Sequence, residues 1–163
     1  MKSDSLLWRY LSSDQRQLIT DGEVLMRDRR IHSEEHMSDY SYLVFPYAKL
    51  YEGFLKQLFR DIGAIGEKEY ASDHFRIGKV LSPNIARLLG ARSAYIWIAR
   101  RYGEQLAQSL WTTWKQGRNL IFHYFPHNIR RLTLDEAQMT ITHIIDTMNK
   151  AVQSCQLSNK NVS

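Results

Sequence analysis

The sequence predicts an all-α fold, a helical bundle formed by one domain. Three observations carry this. Apolar residues recur at steps of three and four along most of the chain, the signature of helices with one buried face. Glycine and proline are sparse, 8 and 3 of 163 residues, which argues against collagen-like, low-complexity and disordered chains. Ser or Thr oxygens stand immediately ahead of several apolar runs, where helix starts need acceptors. With 44% hydrophobic residues, a chain of this length buries roughly two thirds of its unfolded surface as one domain. Residues 1–163 are therefore read as one helical domain, with N-terminal helices over 4–30, a core over about 40–153 and a polar tail over 158–163 that frays.

In order, Leu6, Leu7, Tyr10 and Leu11 form a short helical stripe, and Ser12-Ser13-Asp14 offers caps for a second helix running to Arg30. The stretch from Ile31 to Asp39 is polar and reads as a loop. The run from Tyr40 to Ile62 is the strongest amphipathic pattern, with Leu43, Val44, Tyr47, Leu50, Tyr51, Phe54, Leu55, Leu58 and Phe59 on its apolar side. Pro46 begins or kinks this helix, because it has no N–H to donate to the preceding turn. Gly63 to Gly78 reads as an irregular connection, and Phe75 to Leu81 is the one place where a brief strand could pair. Ser82-Pro83 marks a helix start. One long helix is expected from Arg92 to Gln116; Gly117 interrupts it, and a helical stretch resumes over Arg118 to Phe125 before Pro126. Thr133-Leu134-Asp135-Glu136 is a capping box opening a last helix toward Gln153.

Composition restricts the chemistry. A single cysteine, Cys155, excludes an internal disulfide framework and a cysteine-rich zinc site. Lys plus Arg outnumber Asp plus Glu by 22 to 17, a net charge of +5 and an isoelectric point near 9.4, a balance that suits a polyanionic partner. The longest apolar stretches, Tyr42 to Ala48 and Ala94 to Ala99, fall far short of the ~20 residues of a membrane span. The N-terminus reaches Arg9 too soon for the apolar core of a signal peptide. The expectation is a cytoplasmic protein without a membrane partner.

Neither a phosphate loop nor an HExxH or GxSxG motif is present. His123 and His127 are four apart, but Pro126 lies between them and no carboxylate is near in sequence, so no metal site and no cofactor is expected. What remains is Arg118-Asn119-Leu120-Ile121-Phe122-His123. This segment resembles the RxxxxH motif of the HEPN superfamily, all-α domains found in many RNase toxins and defence nucleases. The resemblance includes the polar residue after the arginine, Asn119, and the place of the motif shortly before a last helix. The segment Glu52-Gly53-Phe54-Leu55-Lys56 is similar to the opening region of RNase LS-type toxin domains, in which a Glu and a Lys approach the arginine and histidine.

The resemblance implies a HEPN-like bundle and an endoribonuclease of toxin or phage-defence type. RNA is then the substrate, a protein antitoxin a possible partner and a homodimer the expected assembly, with two motifs facing each other and Phe122, Tyr124 and Phe125 in the contact. Arg118, Asn119, His123, Glu52 and Lys56 are the catalytic candidates; Lys115, Tyr124, Arg130 and Arg131 are the RNA-binding candidates. The chemistry suits these residue types. Attack by a ribose 2′-hydroxyl needs a proton acceptor, a proton donor for the leaving 5′-oxygen, and a cation where the phosphorane gathers charge. His123 suits the proton transfers, and Arg118 clamps the phosphate with a planar, permanently charged fork. Asn119 orients the histidine or the substrate. On a regular helix Asn119 and His123 share a face, whereas Arg118 lies about 140° from His123.

Spacing alone does not single out this motif. Arg27 to His32 is a second Arg-x4-His, and Arg29 and Arg30 precede His36 at permitted spacings. Context favours the later motif: Leu120, Ile121, Phe122, Tyr124 and Phe125 can anchor it, whereas Arg27 to His36 is a polar stretch that lies before the main bundle helices. The competing readings are structural. Arg118 then caps a helix end, His123 is a core histidine, and Glu52 and Lys56 form a solvated i,i+4 pair. Arg100-Arg101 and Arg130-Arg131 are then solvated faces, and Trp97, Trp111 and Trp114 are core. A catalytically silent HEPN-like domain binding a protein or nucleic acid is the second functional reading.

Overall fold

The computed structural model describes residues 5–123 and 130–157. Among these residues every regular element is helical and there is no strand. The segment Phe75 to Leu81, where a brief strand was possible, holds a one-turn helix instead. The main elements are α1 (Leu6–Tyr10), α2 (Ser13–Ile31) and α3 (Ser41–Asp61), followed by the one-turn helices α4 (Glu67–Tyr70), α5 (Ile77–Val80) and α6 (Ala86–Leu89). Then come α7 (Ala94–Tyr102), α8 (Glu104–Trp114) and α9 (Leu134–Ser154). The polar tail 158–163 lies outside the described residues, as do residues 1–4.

The helix starts follow from their caps. The Ser12 side chain accepts from the Gln15 N–H while the Gln15 side chain accepts from the Ser12 N–H, and Thr133 and Glu136 make the same reciprocal pair ahead of α9. Helix α3 begins differently: the Asp39 carboxylate accepts from both the Ser41 N–H (2.9 Å) and the Ser41 hydroxyl (2.6 Å). That acidic cap starts the helix five residues ahead of Pro46, so the proline lies inside α3 rather than at its first turn. The interruption costs the one bond that residue 46 would have donated to Tyr42.

Helix α3 is the centre of the bundle. Its buried face, from Leu43 through Tyr51 and Phe54 to Phe59, packs on α2, α8 and α9. Against α2 the approach is close enough that only glycine fits: a Cβ on Gly22 would lie 2.3 Å from the Tyr47 ring. The Tyr51 hydroxyl donates to the Leu110 carbonyl (3.0 Å), tying α3 to α8. Between α8 and α9, the Thr113 hydroxyl contacts the Thr147 hydroxyl (3.0 Å) and His143 Nε2 (2.9 Å). Cys155 is buried at the end of α9, and burial pushes its thiol up to about 11.

Two expectations about the second half of the chain are corrected. The single helix over Arg92 to Gln116 is two helices, because Gly103 takes φ +96° and turns the chain between α7 and α8, a conformation that L side chains disfavour. Further on, Gly117 does not stop α8. The backbone widens there into a π-helical turn, Lys115–Asn119, closed by the Leu120 N–H donating to the Lys115 carbonyl five residues back (2.9 Å). Gly117 permits this turn to lie on α9, since a Cβ there would sit 3.1 Å from Ile144. Helix does not resume over Arg118 to His123; beyond Leu120 the chain turns, and His123 stands outside any helix.

Candidate active site

The π-turn aims Arg118 at α3. The Arg118 Nε–H donates to Glu52 Oε2 at 3.0 Å, with the two side chains 36% and 42% exposed. The guanidinium is thus anchored through one N–H while the side chain lines two open hollows, an arrangement that can receive a phosphate. On the same turn, Asn119 Oδ1 lies 3.2 Å from His123 Nε2. The two side chains meet as helical spacing had suggested, but by a turn folding back on the helix end.

A hollow of about 390 Å³ lies over these groups, lined by Lys49, Glu52, Arg118 and His123 together with Phe45 and Phe122. Lys49 was missed by sequence reasoning. The signal was available: Phe45, Lys49, Glu52 and Lys56 recur at three and four residues and so share one face of α3. Phe45 and Phe122 are 56% and 39% exposed and meet edge to face, with centroids 5.7 Å apart. A second hollow, of about 400 Å³, adjoins the first across the Glu52–Arg118 pair and is lined by Phe75, Arg76, Lys79, Trp114 and Asn119. Trp114, read as core, is half-buried and stacks on Trp111 at 5.6 Å.

The remaining candidates fall as follows. Glu52 does not pair with Lys56; its partner is Arg118. The Lys56 ammonium turns away and donates to the Ser72 carbonyl (3.3 Å), 5.9 Å from the centre of the Phe75 ring, so it anchors the segment after α4 instead of joining Arg118 and His123. Lys115 is exposed on the π-turn. Arg130 lines a further, more apolar hollow of about 570 Å³ that also reaches His123. Arg131 attracts the Asp39 carboxylate. Tyr124, Phe125 and His127 lie outside the described residues.

Asp39 fixes the far end of the chain segment that holds His123. Its carboxylate accepts from the Leu132 N–H (3.1 Å), and the Tyr40 N–H donates to the Leu132 carbonyl (2.9 Å). Burial alone would raise the Asp39 carboxyl, but the hydrogen bonds from Ser41 and Leu132, with Arg131 nearby, hold it below its usual range.

The earlier Arg-x4-His has another role. Arg27 and His32 are exposed and line neither hollow beside Arg118, and His32 lies between Asp28 (3.6 Å) and Glu35 (3.8 Å). Its neighbour Arg29 is buried, donates to the carbonyls of His32 and Ser33, and covers the Tyr40 ring. That polar stretch is therefore built as a clamp on the α2–α3 loop. Among the described residues no three His, Cys, Asp or Glu side chains group closely enough to hold a metal ion, and no helix is long and apolar enough to cross a membrane.

Comparison with family models, with curated proteins and with solved structures finds no match to this chain.

Proposed function

We propose that this chain is a metal-independent endoribonuclease with a HEPN-like active site, of the toxin or phage-defence type. The observation that supports this best is the meeting of Arg118, anchored on Glu52, and His123, bonded to Asn119, at one hollow. The 2′-oxygen of a bound ribonucleotide attacks the adjoining phosphorus while its proton passes to a base. The bond from phosphorus to the 5′-oxygen breaks, and that oxygen takes a proton from an acid. Arg118 and Lys49 face the phosphate as its charge grows. Asn119 holds the imidazole, and Glu52 holds the guanidinium. One His123 serves one of the two proton transfers, so a second copy of the chain supplying the other fits the expected homodimer. A protein antitoxin would act by covering this hollow in a cytoplasmic setting.

The test is cleavage of single-stranded RNA in EDTA by wild type, Arg118→Ala and His123→Ala. Wild type yields fragments with 2′,3′-cyclic phosphate and 5′-hydroxyl ends, and both variants are inactive while their melting temperatures move only a few degrees. Ends bearing 5′-phosphate, or activity lost in EDTA, point to metal-assisted hydrolysis instead. Cleavage that survives His123→Ala but is lost in Arg27→Ala or His32→Ala transfers the site to the earlier motif. The exposed Phe45–Phe122 pair beside His123 favours a second reading, a silent domain that docks a protein partner there; it predicts no cleavage under any of these conditions.

A further inference from the structure

We infer that the hollow on the far side of Arg118, walled by Phe75 and Trp114 and edged by Arg76 and Lys79, is the subsite for the nucleotide next to the scissile phosphate. This rests on the ribonuclease reading above and adds to it a second set of RNA contacts, on a segment remote in the chain from Arg118. The two hollows share Glu52 and Arg118 as a common wall, so an RNA strand that places one phosphate on Arg118 passes from one hollow into the other. Its size, about 400 Å³, lies within the ~300–1,000 Å³ of small-ligand sites.

The chemistry of the walls is that of a single-strand nucleotide site, aromatic surface for a base and cations for the backbone. Arg76 is exposed, and its guanidinium is steadied by donating to the Asp73 carbonyl (2.9 Å). Lys79, one turn on, is also exposed and has no ion pair among the described residues. Arg76, Lys79 and Arg118 face a single carboxylate, Glu52, in this hollow, and Lys49 continues the positive track into the other.

Two features show how the hollow is held. Gly78 lets the chain close on the indole, since a Cβ there would lie 2.2 Å from the Trp114 ring. Lys56 holds the same segment from α3 through the Ser72 carbonyl and the Phe75 ring. Lys56, expected beside the arginine, is thus a positioning residue for this second hollow.

The experiment uses the full chain carrying His123→Ala, so that RNA is bound without being cut, and a fluorescein-labelled single-stranded RNA octamer followed by anisotropy over a series of salt concentrations. Adding Arg76→Gln and Lys79→Gln should weaken binding at least tenfold. It should also flatten the plot of log affinity against log salt by about 1.4, at ~0.7 per phosphate contact on a single strand. The same charge loss through Arg9→Gln and Lys150→Gln, at positions lining neither hollow, should leave affinity within about threefold. Gly78→Ala should weaken binding without changing the slope, because it alters shape and no charge. Equal affinities for the Arg76/Lys79 variant and the Arg9/Lys150 control overturn the subsite, as does an octamer that fails to bind. If Arg76 and Lys79 carry the affinity yet wild type cuts no RNA, the hollow stands only as an RNA-binding site and the ribonuclease reading falls. If wild type cuts RNA but the two substitutions cost no affinity, the reverse holds.

Discussion

Replacing Glu52 by Gln removes the carboxylate that holds Arg118 while keeping the side chain's size. The two groups are 36% and 42% exposed, so their attraction is that of a largely hydrated pair, worth ~0.5 kcal/mol. Unfolding entropy of ~2.1 cal/mol/K per residue over 163 residues makes that a loss of about 1.5 °C in melting temperature. On the proposed ribonuclease reading the cost to catalysis is far larger, because a guanidinium free to swing from a bound phosphate forfeits orientation, about 100-fold in kcat. Arg118→Ala alone should cost about 1,000-fold. If Glu52 acts only by positioning Arg118, the double variant should cleave within about threefold of Arg118→Ala alone, a coupling near 2.7 kcal/mol. Single-turnover cleavage of a defined RNA, with circular dichroism melts of all four proteins, measures both quantities. Losses that multiply, leaving the double variant a further ~100-fold slower, would refute the positioning role. A melting temperature lowered by ~6 °C or more would show that the pair holds the bundle together.

Gly22→Ala puts a methyl group 2.3 Å from a Tyr47 ring that is itself fixed in the core. At so close an approach the overpacking cost lies at the upper part of its usual range, ~2–3 kcal/mol, which outweighs the ~1 kcal/mol gained in helix propensity, and a fall of about 3–6 °C in melting temperature is expected; unchanged stability would mean that α2 and α3 have slack at their closest approach. Asp39, held ionised by Ser41 and Leu132, stabilises the fold above its ordinary value of 3.8, and that contribution is lost as pH falls through the lower folded value. Unfolding free energies from urea titrations of wild type and Asp39→Asn should differ by ~1–2 kcal/mol at pH 6, and the gap should shrink as pH falls below 3.8; a gap that does not shrink at all there assigns the effect to packing.

What the sequence made legible was local. Ser12 and Thr133 announce their helices because a cap is a contract between residues three apart. The apolar side of α3 is legible for a similar reason, since burial repeats with the helix period. Gly103 and Gly117 were harder. Both sit in helical patterns, yet one breaks the helix and the other lets it widen, and only the facing α9 side chain Ile144 explains why Gly117 is needed. Within the candidate site, Arg118, Asn119, His123 and Glu52 are brought together. Lys56 points elsewhere because Ser72 and Phe75, 16 and 19 residues on, offer it partners that no helical spacing reveals. Arg76 and Lys79 were invisible for the same reason: their neighbours in space, Trp114 and Arg118, are remote in the chain.

The π-turn at Lys115–Asn119 is one residue more than an α-helix would use, and this makes the site vulnerable in an unusual way. Most substitutions on the turn alter one side chain and leave the path of the chain intact. Loss of one residue there would only restore an ordinary α-turn with the downstream faces kept, but gain of one more has no wider turn to absorb it, and each residue downstream would rotate by about 100° about the axis. Arg118 would then leave Glu52 with both side chains still encoded. Among variants of this chain, an added residue over Lys115 to Leu120 should therefore be tolerated less well than a substitution there.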